Sequence, residues 1–106
     1  MTYANPRRGN TNRPRFAFNR ASLPAPLAYY TNTEKLKLSG HGEWRSAICP
    51  FHADKSPSLR VNVHRGSFRC MVCGAHGGDI LAYHMQRHSM SFIDAAKSLG
   101  AWENAR

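Results

Sequence analysis

A small α+β fold, an antiparallel β-sheet of zinc-ribbon type with flanking helices around one structural zinc ion, is predicted by three observations. Two ligand pairs, Cys49-x-x-His52 and Cys70-x-x-Cys73, are separated by seventeen residues. An alternating apolar segment lies between the pairs, and two capped helical segments follow them. Ligands three apart converge on one ion only if the chain turns sharply between them. Pro50 pre-sets φ for the first turn, and Gly74 can take the φ > 0 conformation that closes the second. Three sulfurs and one imidazole complete a tetrahedral set with no position left for water, the composition of a structural rather than a catalytic zinc site.

Other readings of these side chains fit less well. Three cysteines cannot close a disulfide framework, and no signal peptide opens the chain, so a reducing, cytoplasmic setting is expected. A redox Cys-x-x-Cys pair belongs in a βαβ context, whereas Cys70 follows a strand-like Ser-Phe-Arg and Cys73 precedes a glycine loop. His76, three residues after Cys73, competes for the fourth position, but the symmetry of the pair with Cys49 favours His52. His41, His64, His84 and His88 have no ligand partner at useful spacing and read as solvated or half-buried side chains.

The elements follow in order. Residues 1–22 are rich in Asn, Pro, Gly and Arg, with Arg7, Arg8, Arg13, Arg15 and Arg20 and no acidic residue, and read as a basic disordered arm. The folded domain is expected over 23–106. It keeps ten basic and six acidic groups out of a chain total of +9, and three zinc-bound thiolates with their ion leave it near +3. A strand is expected over 34–38, a turn over 40–42 and a second strand over 44–48. Residues 58–63 set Leu59, Val61 and Val63 against Arg60, Asn62 and His64, the period of a half-buried strand. Arg65-Gly66 then predicts a hairpin turn into a strand over 67–70 that delivers Cys70 to the metal. Each ligand pair thus falls at a strand end, the layout of a zinc ribbon.

Asp79, after Gly77-Gly78, predicts an N-cap for a helix running to about residue 88. Ser91 with Asp94 predicts a capping box for a second helix. Phe92, Ala95, Ala96 and Leu99 form its apolar stripe, expected to dock on the sheet, and Gly100 its C-terminal stop. A core this small commonly needs a metal staple, so zinc binding is expected to supply much of the folding free energy. No stretch is long enough to span a membrane.

Chemistry points to binding rather than catalysis. Nucleotidyl transfer uses clustered carboxylates to hold two divalent metals, yet Asp54, Asp79, Asp94, Glu34, Glu43 and Glu103 are scattered. A phosphate-binding loop and a deaminase signature are also missing from the sequence, and no small-molecule substrate is expected. Single-stranded nucleic acid asks instead for a basic track interleaved with aromatic faces. Trp44-Arg45 and Phe68-Arg69 supply this beside the zinc, and Arg60, Arg65 and Lys55 extend it. The competing reading makes Trp44 and Phe68 core residues and the arginines a solvated surface. For the arm, backbone binding to nucleic acid, a solubilising tail and a docking peptide for a protein (residues 13–20) all remain open.

The run C-P-F-H-A-D-K-S-P-S-L-R-V (49–61), then F-R-C-M-V-C-G-A-H-G-G-D-I-L (68–81) and S-F-I-D-A-A-K-S-L (91–99), resembles the Cys-His-Cys-Cys zinc-binding domain of DnaG-type bacterial DNA primases over about residues 27–100. The resemblance implies a zinc ribbon that helps a primase recognise its single-stranded DNA template, with Cys49, His52, Cys70 and Cys73 as ligands. Such primases usually continue into a metal-dependent polymerase domain of Toprim type, whose carboxylates these 106 residues do not contain. The expectation is therefore a free-standing module, of a kind a mobile element could carry, acting in primer synthesis with a polymerase or helicase in trans. The alternative is a regulator or adaptor that binds nucleic acid or protein without priming.

Overall fold

In the computed structural model, residues 16–104 are described, with side chains over 18–102. The described part begins on β1 (Phe16–Phe18), then passes through a 3-10 turn (Arg20–Ser22) into α1 (Pro26–Ala28). Pro26 sits in the first helical turn, where a missing N–H costs nothing. The helix widens into a π-turn over Tyr29–Thr33, closed by a bond from the Glu34 N–H to the Tyr29 carbonyl at 3.0 Å. Strands β2 (Trp44–Ala47), β3 (Leu59–Asn62), β4 (Phe68–Cys70) and β5 (His76–Gly77) follow, then α2 (Ile80–His88), α3 (Phe92–Ser98) and β6 (Trp102–Asn104). The central strands form one antiparallel sheet in the order β2-β3-β4-β5, and β1 pairs antiparallel with β6.

Alternation in β3 works as the sequence predicts, with Leu59, Val61 and the following Val63 buried and Arg60 exposed. Asn62 departs from the pattern. It is buried because its side-chain oxygen accepts from the backbone N–H groups of His64 and Arg65, shaping the hairpin turn. Gly66 completes that turn at φ +89°, where a Cβ would stand 2.9 Å from Ile80 Cγ2. Its carbonyl accepts from the buried hydroxyl of Tyr30 at 2.6 Å. The core gathers Tyr29, Tyr30, Leu59, Val61, Phe68, Ile80 and Tyr83 under one face of the sheet, joined to Cys49 and Cys70. Its rings meet edge to face, as Tyr30 and Tyr83 do at 5.0 Å.

Both helix caps stand where predicted. The Asp79 carboxylate accepts from the Ala82 N–H, and the Ser91 hydroxyl from the Asp94 N–H. Gly100 follows α3 at φ +78°.

Three points of the expected architecture need correction. No strand forms over 34–38, because Glu34 ends the helical segment, Lys35 takes φ +59°, and the Leu36 N–H bonds back to the Tyr30 carbonyl. The helical segment from Pro26 to Thr33 was not foreseen. The stripe of α3 packs Ala95 and Ala96 against Leu81 of α2, with Phe18 and Trp102 alongside, and its last member, Leu99, is the one that also reaches the core under the four-stranded sheet. Within the span 1–22 read as an arm, Phe16–Phe18 form β1 and Arg20 reaches the α2 cap Asp79 at 2.8 Å. The remainder of that arm, residues 1–15, lies outside the described residues. Among the described residues no helix is long and apolar enough to cross a membrane.

Candidate metal centre and nucleic-acid face

The two knuckles converge beneath the sheet ends. Cys49 follows β2 and Cys70 ends β4. In the first turn the Phe51 N–H points at Cys49 Sγ (3.4 Å), and in the second the N–H groups of Val72 and Cys73 point at Cys70 Sγ (3.4 and 3.3 Å). Gly74 closes the second knuckle at φ +81°, its N–H on the Cys70 carbonyl. The four donor atoms of Cys49, His52, Cys70 and Cys73 all lie within 4.8 Å of one another. Cys49 and Cys73 Sγ are 3.9 Å apart, and Cys70 Sγ is 3.3 Å from His52 Nε2. Sulfurs bound tetrahedrally about 2.3 Å from zinc stand roughly 3.8 Å apart, whereas a disulfide would need about 2.05 Å. The donor set fits zinc and excludes a disulfide in this arrangement.

Electrostatics prepare the centre for a cation. Burial pushes the Cys70 thiol up, but the Ser58 hydroxyl and the Cys73 and Val72 N–H groups outweigh it and bring it down to about 5. Cys49 goes the other way: burial raises it to about 12 against the Phe51 N–H, with the neighbouring thiols adding to the rise. The hydrogen bonds around Cys70 thus favour its thiolate, and an ion that binds the three sulfurs must release whatever thiol protons remain. His52 is raised chiefly by its hydrogen bond with Cys70, and its Nδ1 lies 3.1 Å from the Ala53 carbonyl. A proton on Nδ1 donated to that carbonyl leaves Nε2 free as the ligand atom.

Asp54 is the supporting residue that reading the sequence missed. Its Oδ2 accepts from the Cys49 N–H (2.8 Å) and from the Ser58 hydroxyl (2.9 Å), and the Cys49 bond is the main cause of its depressed pKa. Ser58 Oγ in turn lies 3.4 Å from Cys70 Sγ. The signal was the position of Asp54 two residues after the ligand histidine. His76 is exposed on β5, with Nδ1 2.9 Å from the Gly74 carbonyl, and does not join the four-atom cluster.

The residues expected to meet nucleic acid divide. Arg60 and Arg69 are direct partners across β3 and β4, and Trp44 lies on the same outer side of the sheet. Together with Met71 they line a shallow groove of about 310 Å³. Trp44 is 43 % exposed, so its ring is available. Phe68 is a correction: at 2 % exposure it is core, stacked on Phe51 and edge-on to Tyr83, and offers no face to a base. Arg45 pairs with the inward Val61, on the side opposite Arg60, and bonds the Gly42 carbonyl at 3.1 Å. Lys55 is exposed on the loop after His52, and Arg65 lies on the hairpin turn beside a different cavity, near Arg20 and Asp79.

A short antiparallel sheet carrying two metal-binding knuckles at its strand ends defines a zinc-ribbon protein. The DnaG-type zinc ribbon model, the CHC2 zinc finger, matches residues 31–105, and the chain belongs to that family. Its site is accordingly that of one structural zinc. Among curated relatives, the DNA primase of Campylobacter jejuni is 42 % identical over 69 residues, covering 65 % of this chain and 11 % of the relative. The DNA primase of Escherichia coli K12 is 36 % identical over 70 residues, covering 66 % and 12 %. The chain thus spans about a ninth of the length of these relatives. The crystal structure of the zinc-binding and RNA polymerase domains of the Aquifex aeolicus primase superposes with a TM-score of 0.61 at 28 % identity, over 73 % of this chain and 18 % of that one.

Proposed function

We propose that this chain is a template-binding zinc module of primer synthesis, in which Cys49, His52, Cys70 and Cys73 hold the ion and the outer face of the sheet receives single-stranded DNA. The observation that carries the reading is the groove lined by Trp44, Arg60, Arg69 and Met71. An exposed indole gives a base a stacking surface, and paired guanidinium groups give the backbone a positive track. Sequence-tolerant single-strand binding uses this combination. The zinc fixes the ends of β2 and β4, which carry Trp44 and Arg69 and hold Arg60 of β3 between them, and takes no part in chemistry. Relatives named as DNA primases support the primer-synthesis role, with the polymerase or helicase supplied in trans. The arginines of residues 1–15 add affinity through counterion release.

The adaptor reading draws on a different observation. Ile48, Met71 and Val72 are exposed apolar side chains around the knuckles, a surface that a protein partner could cover.

Fluorescence anisotropy with labelled single-stranded and double-stranded DNA over a salt series separates the two. Template binding predicts a single-strand preference that survives removal of residues 1–15 and falls at least tenfold in the Arg60→Ala, Arg69→Ala double variant with zinc content unchanged. Equal affinity for both DNA forms, or no loss in the double variant, would overturn the assignment of the groove.

A further inference from the structure

We propose that Glu34, His84 and His88 form a second metal site, separate from the thiolate centre, for a divalent transition cation such as Zn²⁺ or Ni²⁺. Their donor atoms all lie within 4.8 Å of one another. Glu34 Oε2 is 2.8 Å from His88 Nε2 and 3.6 Å from His84 Nδ1. A tetrahedral ion with donors about 2.0–2.2 Å away sets neighbouring donors roughly 3.3 Å apart, close to the His84 contact, and the shorter His88 contact would open by about half an ångström. Two histidines and a carboxylate with a further position open is a recurrent zinc donor set, and imidazole selects transition metals over Mg²⁺ or Ca²⁺.

The fold builds this cluster from distant parts of the chain. His84 and His88 are one helical turn apart on α2, which puts their rings on one side, with centroids 4.6 Å apart. Glu34 arrives from the turn after α1, more than fifty residues earlier, with its side chain only 5 % exposed. Among the described residues the two imidazoles are the basic groups beside its carboxylate, and His84 is itself nearly buried, its imidazole pushed toward the neutral form by that burial. A carboxylate so withdrawn from water is costly unless it is hydrogen-bonded and paired with positive charge; Tyr29 and His88 supply hydrogen bonds, and a bound cation would supply the charge. Neighbours also orient the donors, as outer-shell groups do in metal sites. The Tyr29 hydroxyl donates to Glu34 Oε2 at 2.6 Å, and Ser98 Oγ of α3 lies 3.0 Å from His84 Nε2. Metal at His84 Nδ1 would replace that atom's present 2.8 Å hydrogen bond with Tyr29, and the ring could then donate from Nε2 to Ser98. His88, with its side chain 40 % exposed, leaves the cluster open to solvent. An ion there would pin the turn after α1 to α2.

The test uses the full untagged chain carrying one equivalent of zinc, with Ni²⁺ as the probe. Calorimetric titration should show one further equivalent bound by the wild type, and metal analysis after desalting should find one zinc and one nickel. His88→Ala should keep its zinc and lose the nickel, and the upward Tm shift that Ni²⁺ produces in the wild type should vanish. His88→Gln provides the same test at nearly constant side-chain size should the alanine variant lose its zinc. No second equivalent in the wild type at millimolar Ni²⁺, or undiminished uptake by the His88 variants, would overturn the site.

Discussion

The carboxylate of Asp54 accepts the backbone N–H of Cys49 at 2.8 Å, so a buried acid on the loop after the first knuckle fixes the first residue of that knuckle. The same oxygen holds the Ser58 hydroxyl, which lies 3.4 Å from Cys70 Sγ, and the two ligand pairs are thereby braced by one side chain. Outer-shell partners of this kind typically contribute about 10–100-fold to metal affinity. Asp54→Ala is expected to weaken zinc binding by about that factor in competition with a chromogenic chelator. Unchanged affinity would reduce Asp54 to an ordinary turn residue.

Zinc should be inseparable from folding. Cys49 and Cys70 belong to the same apolar cluster as Leu59, Phe68 and Tyr83, so the metal closes the end of the core. In small domains of this type, binding free energy is largely folding free energy. Cys73→Ser, or chelation of the wild type, should abolish the cooperative thermal transition in circular dichroism. A zinc-free chain with a native spectrum and an unchanged Tm would contradict a structural role for the ion.

Tyr83 gives the opposite kind of prediction. Its ring packs against Tyr29, Tyr30, Phe51 and Phe68, while its hydroxyl is buried without a hydrogen-bond partner among the described residues. A buried, unsatisfied donor costs about 1–3 kcal/mol. Tyr83→Phe keeps the ring contacts and should leave the urea midpoint unchanged or raise it. A clear fall in the midpoint would show that the hydroxyl makes an interaction worth more than its burial costs.

Much of this fold was legible because its signals are local. The Asp79 and Ser91 caps, the alternation through Leu59 and Val61, and the Cys-Pro and Cys-Gly knuckles each act within a few residues. Longer-range pairings left no comparable trace. Strand β1 lies at one end of the described chain and finds its partner in β6 at the other, and neither segment has a period that announces the match. Residues 34–38 carry alternating leucines, yet their conformation is set by the helix before them and by the left-handed Lys35. Phe68 and Trp44 are both aromatic residues next to an arginine, and only the register of β3 against its neighbours turns one inward and the other outward. His84 and His88 read as histidines without a ligand partner at useful spacing, because the group that joins them, Glu34, is brought in by tertiary structure alone.

The most direct test of the account is an amide and side-chain NMR titration of zinc-loaded, isotope-labelled chain with a short single-stranded DNA. The largest shift changes should cluster on Trp44, including its indole N–H, and on Arg60, Arg69 and Met71, with the core side of the sheet nearly unmoved. Changes confined to residues 1–15 or to the apolar knuckle around Val72, with the groove silent, would contradict a template-binding face on this sheet.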